Sequence, residues 1–192
     1  MSRLVDGVRC DPADVGIGRL EPFDPAWVTT YPTFKDPSKD FEPGESLCKY
    51  GYPFHSITPI WDAATGSFQL PAGALPIPLF PIEGIFTRTA EIVITDPAGN
   101  LLPIAPPFPL RWIETSSPGL RGQSGGPILD AQGSIWGIQA NTMHLALGFD
   151  PQVPGRPNER EHQFLNVGRG AHPETIFGLF NQFHVRYNVS AY

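Results

Sequence analysis

Apolar residues in this chain fall into short runs separated by clusters of Asp, Asn, Gly and Pro. Strands are read at Val15 to Leu20, Ser46 to Tyr50, Ser56 to Trp61, Gly84 to Ile94, Leu110 to Ile113, Pro127 to Leu129, Ser134 to Asn141 and Gln163 to Val167. Turns between them are marked by Asp62 to Gly66, Asp96 to Asn100 and Asp130 to Gly133, where short polar side chains bond their own backbone and glycine supplies positive φ. Thr87 to Ile94 partly alternates, with Arg88 and Glu91 as polar interruptions, which fits a long half-buried strand. Many short strands with proline at their ends predict an all-β barrel or sandwich.

Two stretches break the pattern. Pro25, Pro32, Pro37 and Pro43, with Pro22 just before, punctuate residues 23 to 43 among Asp, Lys and aromatic residues, predicting an extended linker and a boundary between half-domains. After His172, Pro173 suits a first helical position, and Ile176, Leu179, Phe180 and Phe183 recur at helical spacing, so a short C-terminal helix with one buried face is expected.

Composition narrows the classes. The 192 residues suffice for one compact domain, and 23 Pro and 20 Gly scattered among apolar segments indicate a loop-rich sheet protein rather than disorder. A net charge of -6, with only 13 Lys and Arg and no basic cluster, argues against nucleic acid as a partner. No leader pattern and no run of the roughly 18 apolar residues of a membrane span is legible, so no membrane partner is expected and a cytoplasmic location is slightly favoured. Cys10 and Cys48 are too few for a disulfide scaffold and read as reduced core thiols.

The candidate chemistry lies in Arg121-Gly122-Gln123-Ser124-Gly125-Gly126-Pro127, one serine among three glycines between two strands. Glycines let main-chain N–H groups turn inward to meet a developing oxyanion, and the amides of Gly122 and Ser124 are the natural donors. The plainer reading is a glycine-rich turn holding a solvated serine. The hexamer resembles the Gly-Asp-Ser-Gly-Gly-Pro signature of chymotrypsin-like (trypsin-fold) serine peptidases of the bacterial trypsin-like type, with Gln123 in place of the aspartate. That resemblance implies a double β-barrel, a nucleophilic Ser124 and a polypeptide substrate, with no metal or organic cofactor.

Further segments extend the likeness. Asp14 to Leu20 is similar to the stretch carrying the family's triad aspartate, which puts Asp14 in that role; an Asx cap on the turn at Asp11-Pro12-Ala13 is the alternative. Gly51 to Phe54 resembles the opening of the second barrel. Gly137 to Asn141, with Gln139, Ala140 and Asn141, resembles the strand that pairs with substrate, and Phe164 to Gly168 the closing strand beside the primary pocket, with Gly168 in its wall. Counting six back from Ser124 places Pro118 at the pocket floor, where an aspartate would select basic side chains, so small or apolar ones are expected. Residues 1–22 are then a remnant of a first barrel, 23–46 an inter-barrel linker, and 47–192 the second barrel with its terminal helix.

The family's order is histidine, aspartate, serine, yet no histidine precedes Asp14. His55, His144, His162, His172 and His184 all follow it without the expected flanks, and His55 and His144 are the ones folding would have to bring to Ser124. A serine without a base is a weak nucleophile. Two classes therefore stand: an endopeptidase whose first strands and base lie outside this chain, and a non-catalytic trypsin-fold pseudoenzyme or peptide-binding domain.

Overall fold

A computed structural model describes residues 3–39, 41–53, 58–74, 76–102 and 106–191. The strands of the first half are β1 (Arg3–Cys10), β2 (Val15–Glu21), β3 (Thr33–Phe34), β4 (Ser46–Lys49), β5 (Ile60–Asp62), β6 (Ser67–Gln69) and β7 (Ile82–Glu91). There follow β8 (Arg111–Thr115), β9 (Pro127–Leu129), β10 (Ile135–Ala146), β11 (Gln152–Val153), β12 (Arg156–Arg160), β13 (Phe164–Ala171), the helix α1 (Pro173–Gln182) and β14 (Asn188–Val189). The chain is all-β with one short C-terminal helix, and its arrangement matches a double barrel in which one barrel is incomplete.

Six strands run β13-β8-β7-β4-β9-β10, and β10 pairs back onto β13, so the ring is closed and its strands have no free lateral partner except where one outruns its neighbour. Leu47, Phe86, Ile113, Ile128 and Trp136, one from each of five strands, pack together, and the half-buried Phe41 joins them through ring contacts with Phe86 and Trp136. The opposite faces of β8 and β10 carry Trp112 and Ile135 into a second core with Phe34, Ile176, Phe177 and Leu179, which seats α1 against the barrel.

Turn chemistry behaves as the sequence implies. Asp130 Oδ1 accepts from the amides of Gln132 and Ser134 while Oδ2 accepts from Trp136 Nε1, tying a turn to the core at once. Asp96 accepts likewise from the amides of Ala98 and Asn100. His172 caps α1, its Nδ1 accepting from the Glu174 amide, and Pro173 follows as the first helical residue. Of the helix's expected apolar face, Ile176 and Leu179 are buried, Phe180 is half-buried, and Phe183 lies past the helix end and is exposed.

Several elements differ from the expected strands. β1 has only one buried residue, Cys10, so its apolar signal is weak, yet it pairs antiparallel with β2. The hairpins β5–β6 and β11–β12 are short and largely exposed, held by their own ladders rather than by a buried face. The expected strand at 56–61 begins outside the described residues; Thr58 and Pro59 are not in a strand, which starts at Ile60 and runs to Asp62. β10 continues past Asn141 to Ala146, because β13 supplies a partner across polar residues that carry no burial signal. Within 23–46, Thr33 and Phe34 pair in parallel with β10 and β14, so this segment is anchored on the barrel.

Candidate functional site around Ser124

The turn carrying Ser124 leaves the buried Thr115 at the end of β8 and enters β9. Gly122 has φ +98°, and a β-carbon there would lie 2.6 Å from the Tyr52 carbonyl oxygen, so only glycine lets the turn press against residues 50–53. Gly126 is equally constrained, since a β-carbon would overlap the Tyr50 carbonyl oxygen. Gln123 is fully buried beneath the turn; its Oε1 accepts from the Leu120 amide at 2.9 Å and its Nε2 donates to the Phe80 carbonyl. A neutral amide thus fixes the turn where the family's signature has an aspartate.

On the β10 side, the Gly125 amide donates to Gln139 O and the Gln139 amide to Gly126 O. Ser124 is exposed, and its hydroxyl donates to the Ala140 carbonyl at 2.9 Å. Among the described residues, the Gly122 and Ser124 amides donate to no acceptor. They border an open cleft of about 530 Å³ lined by Tyr50, Gly51, Tyr52, Leu79, Gly122 and Ser124. The turn thus offers a hydroxyl and two unoccupied N–H groups at a cleft wall.

The ground behind this turn is filled. Thr142 Oγ1 donates to the Gly119 carbonyl at 2.6 Å and accepts from the Gly119 amide at 2.9 Å, clasping β10 to the segment ahead of Ser124. The buried Gln139 side chain donates to the carbonyls of Asn141 and Arg169 and lies where a Gly119 β-carbon would go; its Oε1 is buried without a partner among the described residues. Lys49 is fully buried and donates to Thr115 Oγ1, Ser117 O at 2.5 Å and Pro118 O at 2.8 Å. Gly168 adjoins the same ammonium.

Burial pushes the Lys49 amine down to about 8. Its three donors end on three oxygens, none of them Ser124 Oγ. Sequence reasoning missed Lys49 because lysine is ordinarily exposed. The available signal was phase: Lys49 stands two residues after Leu47 in β4 and therefore shares its inward face.

The other residues expected at the site lie apart from it. Asp14 is exposed at the turn joining β1 to β2, in the left-handed region at φ 47°, and its carboxylate has no partner among the described residues. His144 bonds Asn166 Oδ1, and His162 bonds Asp150 Oδ2 at 3.1 Å. Along the β10 and β13 ladder His144 stands four residues beyond Ala140, roughly 13 Å of strand, and His162 farther still. His172 is buried at the helix cap, where desolvation, with the nearby Arg111 charge, pushes its imidazole down to about 4. His184 follows the helix, and His55 falls outside the described residues. No described histidine hydrogen-bonds Ser124.

Among the described residues no group of three His, Cys, Asp or Glu is placed to hold a metal ion, and no helix is long and apolar enough to cross a membrane. No protein-family model matches the chain, and no curated protein matches it.

Proposed function

We propose that this chain is a non-catalytic polypeptide-binding domain built on the chymotrypsin-like peptidase fold. One observation carries the reading: the Ser124 hydroxyl gives its proton to the Ala140 carbonyl, an acceptor too weakly basic to take it away. The unoccupied amides of Gly122 and Ser124 at the wall of the cleft support peptide binding there. Gln139 and the Thr142 to Gly119 clasp fill the space behind the turn, which favours small side chains at the residue lying over Ser124.

The two unoccupied amides also favour a second reading, an endopeptidase. Ser124 Oγ would attack the peptide carbonyl while a histidine outside this sequence takes its proton, and the oxyanion would rest on the Gly122 and Ser124 amides. The C–N bond would then break as the histidine returns the proton to the leaving amine, and water would release the acyl group. Asp14 would orient that histidine.

Equilibrium binding of a fluorescent tripeptide of small residues, with mass spectrometry of the recovered peptide, tests the proposal. The expected result is saturable binding, intact peptide, and an affinity unchanged within about twofold by Ser124→Ala. Ser124-dependent cleavage would overturn it in favour of the second reading, and an absence of binding would overturn the peptide groove itself.

A further inference from the structure

A second cavity shares no lining residue with the Ser124 cleft. It opens where the proline-punctuated segment passes the end of α1, and its volume of about 870 Å³ is that of a small-molecule site. Its floor is aromatic and held in place. Phe34, anchored by pairing with β10 and β14, meets Phe180 edge-on at 5.8 Å, and the Tyr187 ring lies 5.5 Å from the same Phe180. Tyr187 is itself fixed twice, stacked on Phe177 at 4.2 Å and donating from its hydroxyl to Asn181 Oδ1 at 3.2 Å. The chain comes back to this position because His184 takes φ +54° after the helix and the Val185 amide donates to the Phe180 carbonyl. Phe23 and Tyr31 add two further rings to the lining and remain 41 % and 56 % exposed, so no described residue fills the space.

The charges at this cavity run against those of the chain. Asp and Glu outnumber Lys and Arg by 19 to 13, yet among the described residues no carboxylate lines the cavity and two guanidinium groups do. Arg19 is already answered, by Asp6 at 2.8 Å and Glu21 at 3.7 Å. Arg186 has no partner among the described residues, and Asn188, also in the lining, makes no side-chain hydrogen bond there. Aromatic walls with one free cation suit a flat apolar body bearing one negative charge, and a planar guanidinium matches a carboxylate through two parallel hydrogen bonds. A cationic ligand would find no counter-charge in the lining.

We propose that the cavity bounded by Phe34, Phe180, Tyr187 and Arg186 binds a small planar aromatic monocarboxylate, its ring against the aromatic floor and its carboxylate on Arg186. The site is independent of the reading of Ser124. Phe34 pairs opposite Ile135, five residues before Ala140 on β10, which is roughly 16 Å of strand from the carbonyl that Ser124 meets.

Isothermal titration calorimetry tests this with 2-naphthoate, its neutral counterpart 2-naphthamide, and the non-planar cyclohexanecarboxylate. The expected result is one-to-one binding of 2-naphthoate at least tenfold tighter than of either other compound. Arg186→Gln should abolish the preference over 2-naphthamide, and Tyr31→Ala should weaken both naphthalene ligands about fivefold. Both side chains are exposed, so neither variant should move the melting temperature. Independently of any variant, intermolecular nuclear Overhauser effects from the naphthalene protons to the Phe180 and Tyr187 rings should locate the ligand. Equal affinities for 2-naphthoate and 2-naphthamide, binding that neither variant changes, or no saturable binding would each overturn the proposal. A dimer that Tyr31→Ala dissociates and 2-naphthoate does not would also overturn it, by assigning the cavity to a second copy of the chain.

Discussion

Around Ser124, six strands close on one another and the catalytic-looking turn is pinned by Gln123, by Gly125 and Gly126 bonds to β10, and by glycines that fit only there. Around Asp14, two strands pair with each other and, among the described residues, with no other strand. Cys10 and Ala13 bury the turn end of that hairpin in the core shared with α1, while Leu4 at 67 % and Leu20 at 47 % exposure leave its far end uncovered. The contrast separates a turn bonded and packed into the barrel from one that is packed through Cys10 and Ala13 yet leaves the Asp14 carboxylate in solvent.

The sharpest way to break that comparison is to probe the two regions' stability separately. Phe86, 1 % exposed among Leu47, Ile113, Ile128 and Trp136, fills the barrel, so Phe86→Ala should cost about 3–5 kcal/mol in urea unfolding. Leu4→Ala in β1 should change stability by no more than about 0.5 kcal/mol, and a loss of several kcal/mol there would show the hairpin to be integral to the core.

Acid should act through the barrel region. The folded His172 imidazole sits at about 4, below its ordinary value of 6.5, so the unfolded chain binds more protons between those values. Stability attributable to this group is complete above pH 6.5 and lost as pH falls toward 4, by at most about 3 kcal/mol. His172→Asn, which keeps a capping acceptor without titrating, should flatten that slope in denaturation curves taken across the same range.

A smaller loss is expected at the outer wall. The Glu114 carboxylate is buried and meets Arg88 Nε at 2.9 Å and the Arg169 guanidinium at 3.1 Å. Glu114→Gln strips the charge that balances them and should cost roughly 2 kcal/mol by thermal or urea unfolding, moderated by the exposure of Arg88. Asp14→Gly should be neutral or stabilising by up to about 1 kcal/mol, because glycine tolerates the left-handed conformation at φ 47°. A marked loss of peptide affinity in the same variant would place Asp14 in the groove and erase the contrast.

What the sequence disclosed follows the same division. The barrel strands were legible because Asp, Asn and Gly at Asp96 to Asn100 and Asp130 to Gly133 mark turns whose side chains then bond the backbone as expected. The Ser124 turn was legible as a turn because its glycines Gly122 and Gly126 stand where the backbone of residues 50–52 leaves no room for a β-carbon. β1 was obscure because a strand with a single buried residue leaves no alternation to read. The extension of β10 was obscure for a related reason: Asn141, Thr142 and His144 are polar, and their strand conformation comes from pairing with β13. Lys49 was hidden by its residue type, its burial being supported by three oxygens gathered from Thr115, Ser117 and Pro118, distant in sequence.

On the proposed reading, Ser124 is held as a hydroxyl and is not activated. Labelling with a fluorophosphonate probe tests it most directly, comparing this chain with its Ser124→Ala variant at neutral pH. The claim predicts no labelling above that of the variant, since loss of a base typically lowers nucleophilic turnover about 10⁴-fold. Stoichiometric labelling that disappears in Ser124→Ala would contradict it and establish an activated serine within these 192 residues, with His55 and His144 the first candidates for its base.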